Sequence, residues 1–181
     1  MRNVTKLMTR TACVAAALLA AFFAAAASAQ TDQLIVRNER IGAVNLGDTA
    51  AEVIAALGQP TETGFWRGEE GYLHYCNGAC GNNNTRLSVW TWGSRNEVFR
   101  IFVRSGGYAT PEGVTIGMSE MDARIRLGSP SQRIWHESYS QWHLFYPGLL
   151  LVVDPSQGVS VIEICQPRRQ HRPSARGNWC E

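Results

Sequence analysis

His74, Cys76 and Cys80 make the densest grouping of reactive side chains, spaced His-x-Cys-x-x-x-Cys. An imidazole and two thiolates are three ligands for a zinc-like ion, but a closed tetrahedral site needs a fourth, and none lies nearby in sequence. In an oxidising compartment the two thiols pair instead, closing the turn Asn77-Gly78-Ala79. A redox couple is a third option, but the spacing lacks the helix start that lowers a thiol pKa. Cys165 ends the last strand-like stretch and Cys180 lies within the tail. These four cysteines allow three pairings, and the favoured one is Cys76–Cys80 with Cys165–Cys180.

Other chemistry is thin. Glu69-Glu70 could act as an acid/base pair, but a solvated turn fits those residues better. The run Asn82-Asn83-Asn84 has no carboxylate beside it and makes a poor calcium site. His74 and His143 fall one position apart when the chain is aligned on itself, so they are expected on opposite sheet faces. His136 is expected at a sheet surface. The sequence holds no Gly-x-Ser-x-Gly elbow, His-Glu-x-x-His helix or phosphate loop. We therefore expect a non-enzymatic protein with no cofactor and no metal.

Aromatic residues carry more information. Six Trp and five Tyr are present. Trp90 and Trp92 should share a strand face, as should Tyr72 and His74, and Trp142 and Tyr146. Arg100 and Phe102 alternate with them on a neighbouring strand. Aromatics interleaved with arginine favour a protein-binding surface. The plainer alternative is that they fill the core. The expected binding set is Tyr72, His74, Trp90, Trp92, Arg100, Phe102, Trp142 and Tyr146.

The elements that position these residues are set by a repeated stretch. Val44 to Pro60 reads VNLGDTAAEVIAALGQP, and Val114 to Pro130 reads VTIGMSEMDARIRLGSP, 70 positions later without a gap. Thr49 and Ser119 are N-caps, with Glu52 and Asp122 three residues on, as in a capping box. Gly58 and Gly128 suit C-caps, and Pro60 and Pro130 stop the helix. Each copy predicts a helix of about nine residues, too short to persist unpacked. In the second copy Met118, Met121 and Ile125 offer a different apolar stripe, so that helix is expected to be rotated. A period this long suits a duplicated small domain rather than a solenoid.

After each helix the pattern turns to strands. In the first half they are expected near Thr61–Arg67, Tyr72–Cys76, Arg86–Trp92 and Glu97–Arg104. In the second they are expected near Gln132–Glu137, Gln141–Tyr146, Leu149–Asp154 and Val159–Cys165. On the fourth, Phe99, Ile101 and Val103 should face one way and Arg100, Phe102 and Arg104 the other. Leu34-Ile35-Val36 reads as a short edge strand.

The first 29 residues read as an export signal. They have a basic start, an apolar run from Ala12 to Ala27, and a small-residue site at Ala27-Ser28-Ala29. No cysteine follows that site, so a lipid anchor is not expected. Of 17 basic residues, Arg2, Lys6 and Arg10 lie in this leader, leaving 14 against 15 acidic in the mature chain. That balance excludes a general nucleic-acid binder. The expected division is 1–29 signal, 30–107 first repeat, 108–165 second repeat and 166–181 a polar tail. The tail carries Arg168, Arg169, Arg172 and Arg176.

The matched segments Leu46-Gly47-Asp48-Thr49 with Leu57-Gly58-Gln59-Pro60, and Ile116-Gly117-Met118-Ser119 with Leu127-Gly128-Ser129-Pro130, resemble a known superfamily. It is the one shared by the BamE (SmpA/OmlA) assembly lipoproteins and the tandem-repeat β-lactamase inhibitor proteins. The resemblance covers most of the mature chain. It implies an α+β fold: two tandem repeats, each a short helix plus a three- to four-stranded antiparallel meander, packed as one pseudo-symmetric unit. It also implies a sheet face left open to proteins.

The expected function is an exported protein-binding module of the envelope, periplasmic or secreted, acting as inhibitor or accessory factor. Its partner would be an envelope or extracellular protein, with no nucleic acid and no membrane span after processing. The alternatives are a structural component held to anionic glycan or lipid by the tail, and a small enzyme or metal protein using His74, Cys76 and Cys80.

Overall fold

The computed structural model describes residues 33–66, 70–81 and 84–166. Strands β1 (Ile35–Val36), β2 (Arg40–Ile41) and β3 (Val44–Asn45) form a small meander. Helix α1 (Ala50–Leu57) follows, then β4 (Glu62–Phe65), β5 (Glu70–Cys76), β6 (Thr85–Trp92) and β7 (Glu97–Val103). Helix α2 (Glu120–Leu127) leads into β8 (Gln132–His136), a 3-10 turn (Glu137–Tyr139), β9 (Gln141–Tyr146), β10 (Leu149–Asp154) and β11 (Gly158–Cys165). The last eight strands make one antiparallel sheet in the order β4-β5-β6-β7-β11-β10-β9-β8. The fold is α+β, with four consecutive strands on each side of a β7–β11 seam.

The caps form as their residue types dictate. Thr49 Oγ1 accepts from the Glu52 N–H, and the Glu52 carboxylate accepts in return from the Thr49 N–H at 2.7 Å. Ser119 Oγ accepts from the Asp122 N–H at 3.1 Å, but the Asp122 carboxylate takes the Ser119 hydroxyl rather than the backbone. Aspartate is one methylene shorter than glutamate, so the second box closes only halfway. Ahead of each helix, Gly47 and Gly117 adopt φ of +95° and +84°, a region costly for other residues. Their N–H groups donate to the Val98 and Val159 carbonyls at 2.7 and 2.8 Å. Each helix start is thereby fastened to the last strand of its half.

One face of the sheet meets the helices and the small meander. Leu73, Val89, Ile101, Ile162, Leu151 and Leu144 supply this core, one from each of the six inner strands, with Ile35, Ile41 and Val44 from the meander. Val53 is the buried residue of α1, and Ala123 holds the same place in α2. The expected rotation of α2 does not occur. Met121 and Ile125 point outward, 73% and 74% exposed. The Gly117–Val159 bond and the Ser119 cap fix the helix phase more strongly than two outward apolar side chains disturb it.

A second correction concerns Phe99. The register between β6 and β7 shifts at Trp90/Thr91, pairing Trp90 with Arg100 but Thr91 with Val98. Phe99 is the extra residue of this bulge, so Val98 joins Ile101 and Val103 in the core instead. The same shift occurs at Val152/Val153, where Ser160 is the extra residue and Val159 turns inward.

Candidate functional site

The second face of the sheet is built from the alternate residues of the same strands. At its β4–β6 end lies an aromatic cluster. Tyr72 stacks on His74 with centroids 4.4 Å apart, and both rings approach Trp90, at 5.8 and 6.3 Å. Trp66, just past β4, meets Trp90 edge-on at 6.3 Å and remains 62% exposed. Gly64 makes room for this: a Cβ there would sit 2.4 Å from the Tyr72 hydroxyl.

Two sets of polar contacts tie the rings in place. The Tyr72 hydroxyl donates to Glu62 at 3.1 Å. His74 Nδ1 and Ser88 Oγ are 2.8 Å apart, and Trp90 Nε1 donates to the same Ser88 oxygen at 3.0 Å. Burial pushes the His74 imidazole below its ordinary value, and Arg104 adds to this, while Glu62 pulls the other way. A serine beside a histidine invites a nucleophile reading. Ser88 is fully buried, however, and its oxygen is engaged by the indole, so the pair orders the rings instead.

Toward the seam, Arg100 forms an ion pair with Glu163, whose side chain is only 4% exposed. The Arg100 guanidinium also lies over Trp90 and Phe102, at 5.7 and 5.5 Å, and Arg104 covers Phe102 at 5.3 Å. A carboxylate this deep needs such a partner to offset the loss of water. Beyond it Phe102, Phe145, Leu150, Val152 and Val161 form a second buried apolar cluster, with Trp90 at its border.

The eight expected binding residues are thus divided. Tyr72, His74, Trp90, Arg100 and Phe102 come together on the second face, Phe102 as a buried member. Trp92 sits at the end of β6, opposite Glu97 and Glu70. Trp142 and Tyr146 belong to the helix side. Trp142 packs on the main core beneath Arg133, 3.3 Å from its ring centre, and the Tyr146 hydroxyl reaches the Gly128 carbonyl.

His143 is also displaced from expectation. The second half has one more residue between its helix and its second strand, where the 3-10 turn ends at left-handed Ser140. Leu144 rather than His143 therefore takes the place in the core that Leu73 holds in the first half. His143 turns to the second face, the same face as His74. The two do not meet, since β5 and β9 are five strand spacings apart, about 24 Å. His143 instead stacks near His136 at 4.2 Å.

Sequence reasoning missed Trp66, Ser88 and Glu163. Gly64, a glycine inside a strand, was the signal that a neighbour approaches β4 closely.

Cys76 and Cys80 form a disulfide. Both thiols are thereby removed from any set of metal ligands with His74. Among the described residues no group of three or more His, Cys, Asp or Glu is placed to hold a metal ion. No described helix is long and apolar enough to cross a membrane. Cys180 and the arginine-rich tail lie outside the described residues, as do the leader, Glu69, Asn82 and Asn83.

No protein-family model matches the chain, and no curated protein matches it. Three solved structures are similar in part. An extracellular protein containing an SCP domain from Bacillus anthracis shares 9% identity at a TM-score of 0.48, over 66% of this chain and 43% of that one. A cysteine-rich secretory protein from Staphylococcus aureus shares 11% at 0.42, over 66% and 44%. A DUF4309 family protein from Bacillus subtilis shares 14% at 0.39, over 65% and 78%. The chain therefore spans less than half the length of the first two.

Proposed function

We propose that this chain is an exported, non-enzymatic protein-binding module made of two copies of one helix-plus-meander unit. The kinship with the BamE-like and inhibitor superfamily belongs to the same proposal. The duplicated caps, the paired bulges at Phe99 and Ser160, and the glycine bonds to Val98 and Val159 support it.

The binding site is the β4–β6 end of the second face. One observation carries this reading: Trp66 stands 62% exposed beside a ring cluster that is already tied in place. The Tyr72 ring held by Glu62 and the His74 and Trp90 rings held by Ser88 lose little freedom on binding, so apolar area buried against them converts to affinity efficiently. An exported protein partner of the envelope or extracellular space fits such a surface.

The test is capture from envelope extract by immobilised wild type against Trp66→Ala, which leaves both cores untouched. The reading expects a partner retained by wild type and lost by at least tenfold with the variant. Equal recovery would overturn it.

A further inference from the structure

We infer that strand β8 is an interface to a second copy of this chain. Two β8 strands pair antiparallel about a two-fold axis at Ile134, joining two sheets into one continuous sheet. The inference is independent of the proposed binding site, which lies at the β4 end.

The first ground is the state of the edge. β8 lies at one border of the sheet, and four of its five residues are exposed. Among the described residues no strand pairs with its outer side. Soluble proteins guard such an edge with a bulge, a proline or free charges. Here the register with β9 runs unbroken from Gln132 to His136. The strand has no proline, glycine, lysine or carboxylate. Its one formal charge, Arg133, is engaged by Glu120 at 2.9 and 3.1 Å and by the face of Trp142. Beside it stand Ile134 and Trp135, 43% and 38% exposed. The opposite edge differs, since β4 carries Glu62 and Gly64.

The second ground is self-complementarity. Pairing about Ile134 keeps each residue opposite one on the same sheet face. Arg133 meets Trp135 of the second copy, Gln132 meets its His136, and the two Ile134 side chains meet at the axis. A guanidinium beside an indole repeats the contact that Arg133 already makes with Trp142. A glutamine amide serves an imidazole nitrogen in either tautomer. No like charges oppose each other. Centring on Arg133 instead would set two guanidinium groups together. Centring on Trp135 would leave Gln132 and Arg133 opposite the 3-10 turn that begins at Glu137.

The third ground is order before pairing. Arg133 is held by Glu120 and Trp142, and Trp135 rests 5.0 Å from Trp142, so little side-chain freedom is lost. Five residues a side make a small interface, so the association is weak and concentration-dependent.

Sedimentation velocity of the full chain, purified as the expressing cell processes it, tests this. Monomer should give way to dimer between micromolar and millimolar concentration. Monomer throughout would overturn the inference, whether the edge is then bare or taken by another strand. Ile134→Lys and Ile134→Glu each set like charges at the axis and should weaken self-association by about tenfold or more. Mixed in equal amounts they should associate again, because opposite charges then meet. A dimer untouched by both substitutions, or no recovery on mixing, would overturn the inference. Trp66→Ala should dimerise like wild type; loss of its dimer would overturn the assignment to β8. If neither Ile134 variant folds, amide exchange in the wild type decides. Alternate amides from Gln132 to His136 should be better protected at high concentration, and exchange independent of concentration would overturn the pairing.

Discussion

The Tyr75 hydroxyl donates to the Gly58 carbonyl at 3.2 Å, clamping β5 to the end of α1. Tyr146 makes the same bond to Gly128, also at 3.2 Å. The glycines are 70 positions apart and the tyrosines 71, so the clamp survives a one-residue insertion between them. Each hydroxyl satisfies a helix-end carbonyl that has no partner within its helix. Tyr75→Phe and Tyr146→Phe should each cost about 1 kcal/mol, with similar values, by urea denaturation. A cost at one site only would argue against equivalent roles.

The two N-caps should differ in a set direction. Thr49→Ala removes a reciprocal box and Ser119→Ala a one-way cap. Both should lower stability by about 0.5–2 kcal/mol, Thr49→Ala by more. Thermal melts of the two variants check the order.

Acid should weaken the fold through His74. Burial favours its neutral form, so the folded pKa lies below 6.5. The unfolded chain then binds a proton that the folded chain refuses. This contribution is complete above about pH 6.5 and is lost as pH falls toward the folded value. The urea midpoint should drop between pH 7.5 and 5.5, and His74→Gln should flatten that drop. An unchanged slope in the variant would contradict the assignment.

Cys76→Ser with Cys80→Ser opens a short loop between β5 and β6. Loops of this size contribute about 2 kcal/mol through the unfolded state. The double variant should unfold at lower urea while keeping the Trp66 surface and any binding through it.

Much of this architecture could be read from residue types because it is local. Thr49, Gly58, Ser119 and Gly128 act on neighbours within one helix, so a repeated pattern exposes them. What failed was long-range or depended on counting. The extra residue before Ser140 moves the residues of β9 by one, which reverses the face of His143. The bulges at Phe99 and Ser160 interrupt alternation without any glycine or proline to mark them. The β7–β11 seam joins strands distant in sequence, so the pairing of Arg100 with Glu163 left no nearby trace. Trp66 was hidden because it follows a short, exposed edge strand whose residues carry no burial pattern to place it.

Binding through the Trp66, Tyr72, His74 and Trp90 surface is the central claim, and site-specific photocrosslinking in envelope extract tests it most directly. A photoreactive aromatic side chain, which keeps a ring at the site, is placed at position 66 or, as a control, at exposed Ala55 on the outer side of α1. The account predicts a saturable protein adduct at 66 that excess unlabelled wild type displaces and excess Trp66→Ala does not, with no such adduct at 55. Equal labelling at both positions, or displacement by both competitors alike, would contradict it.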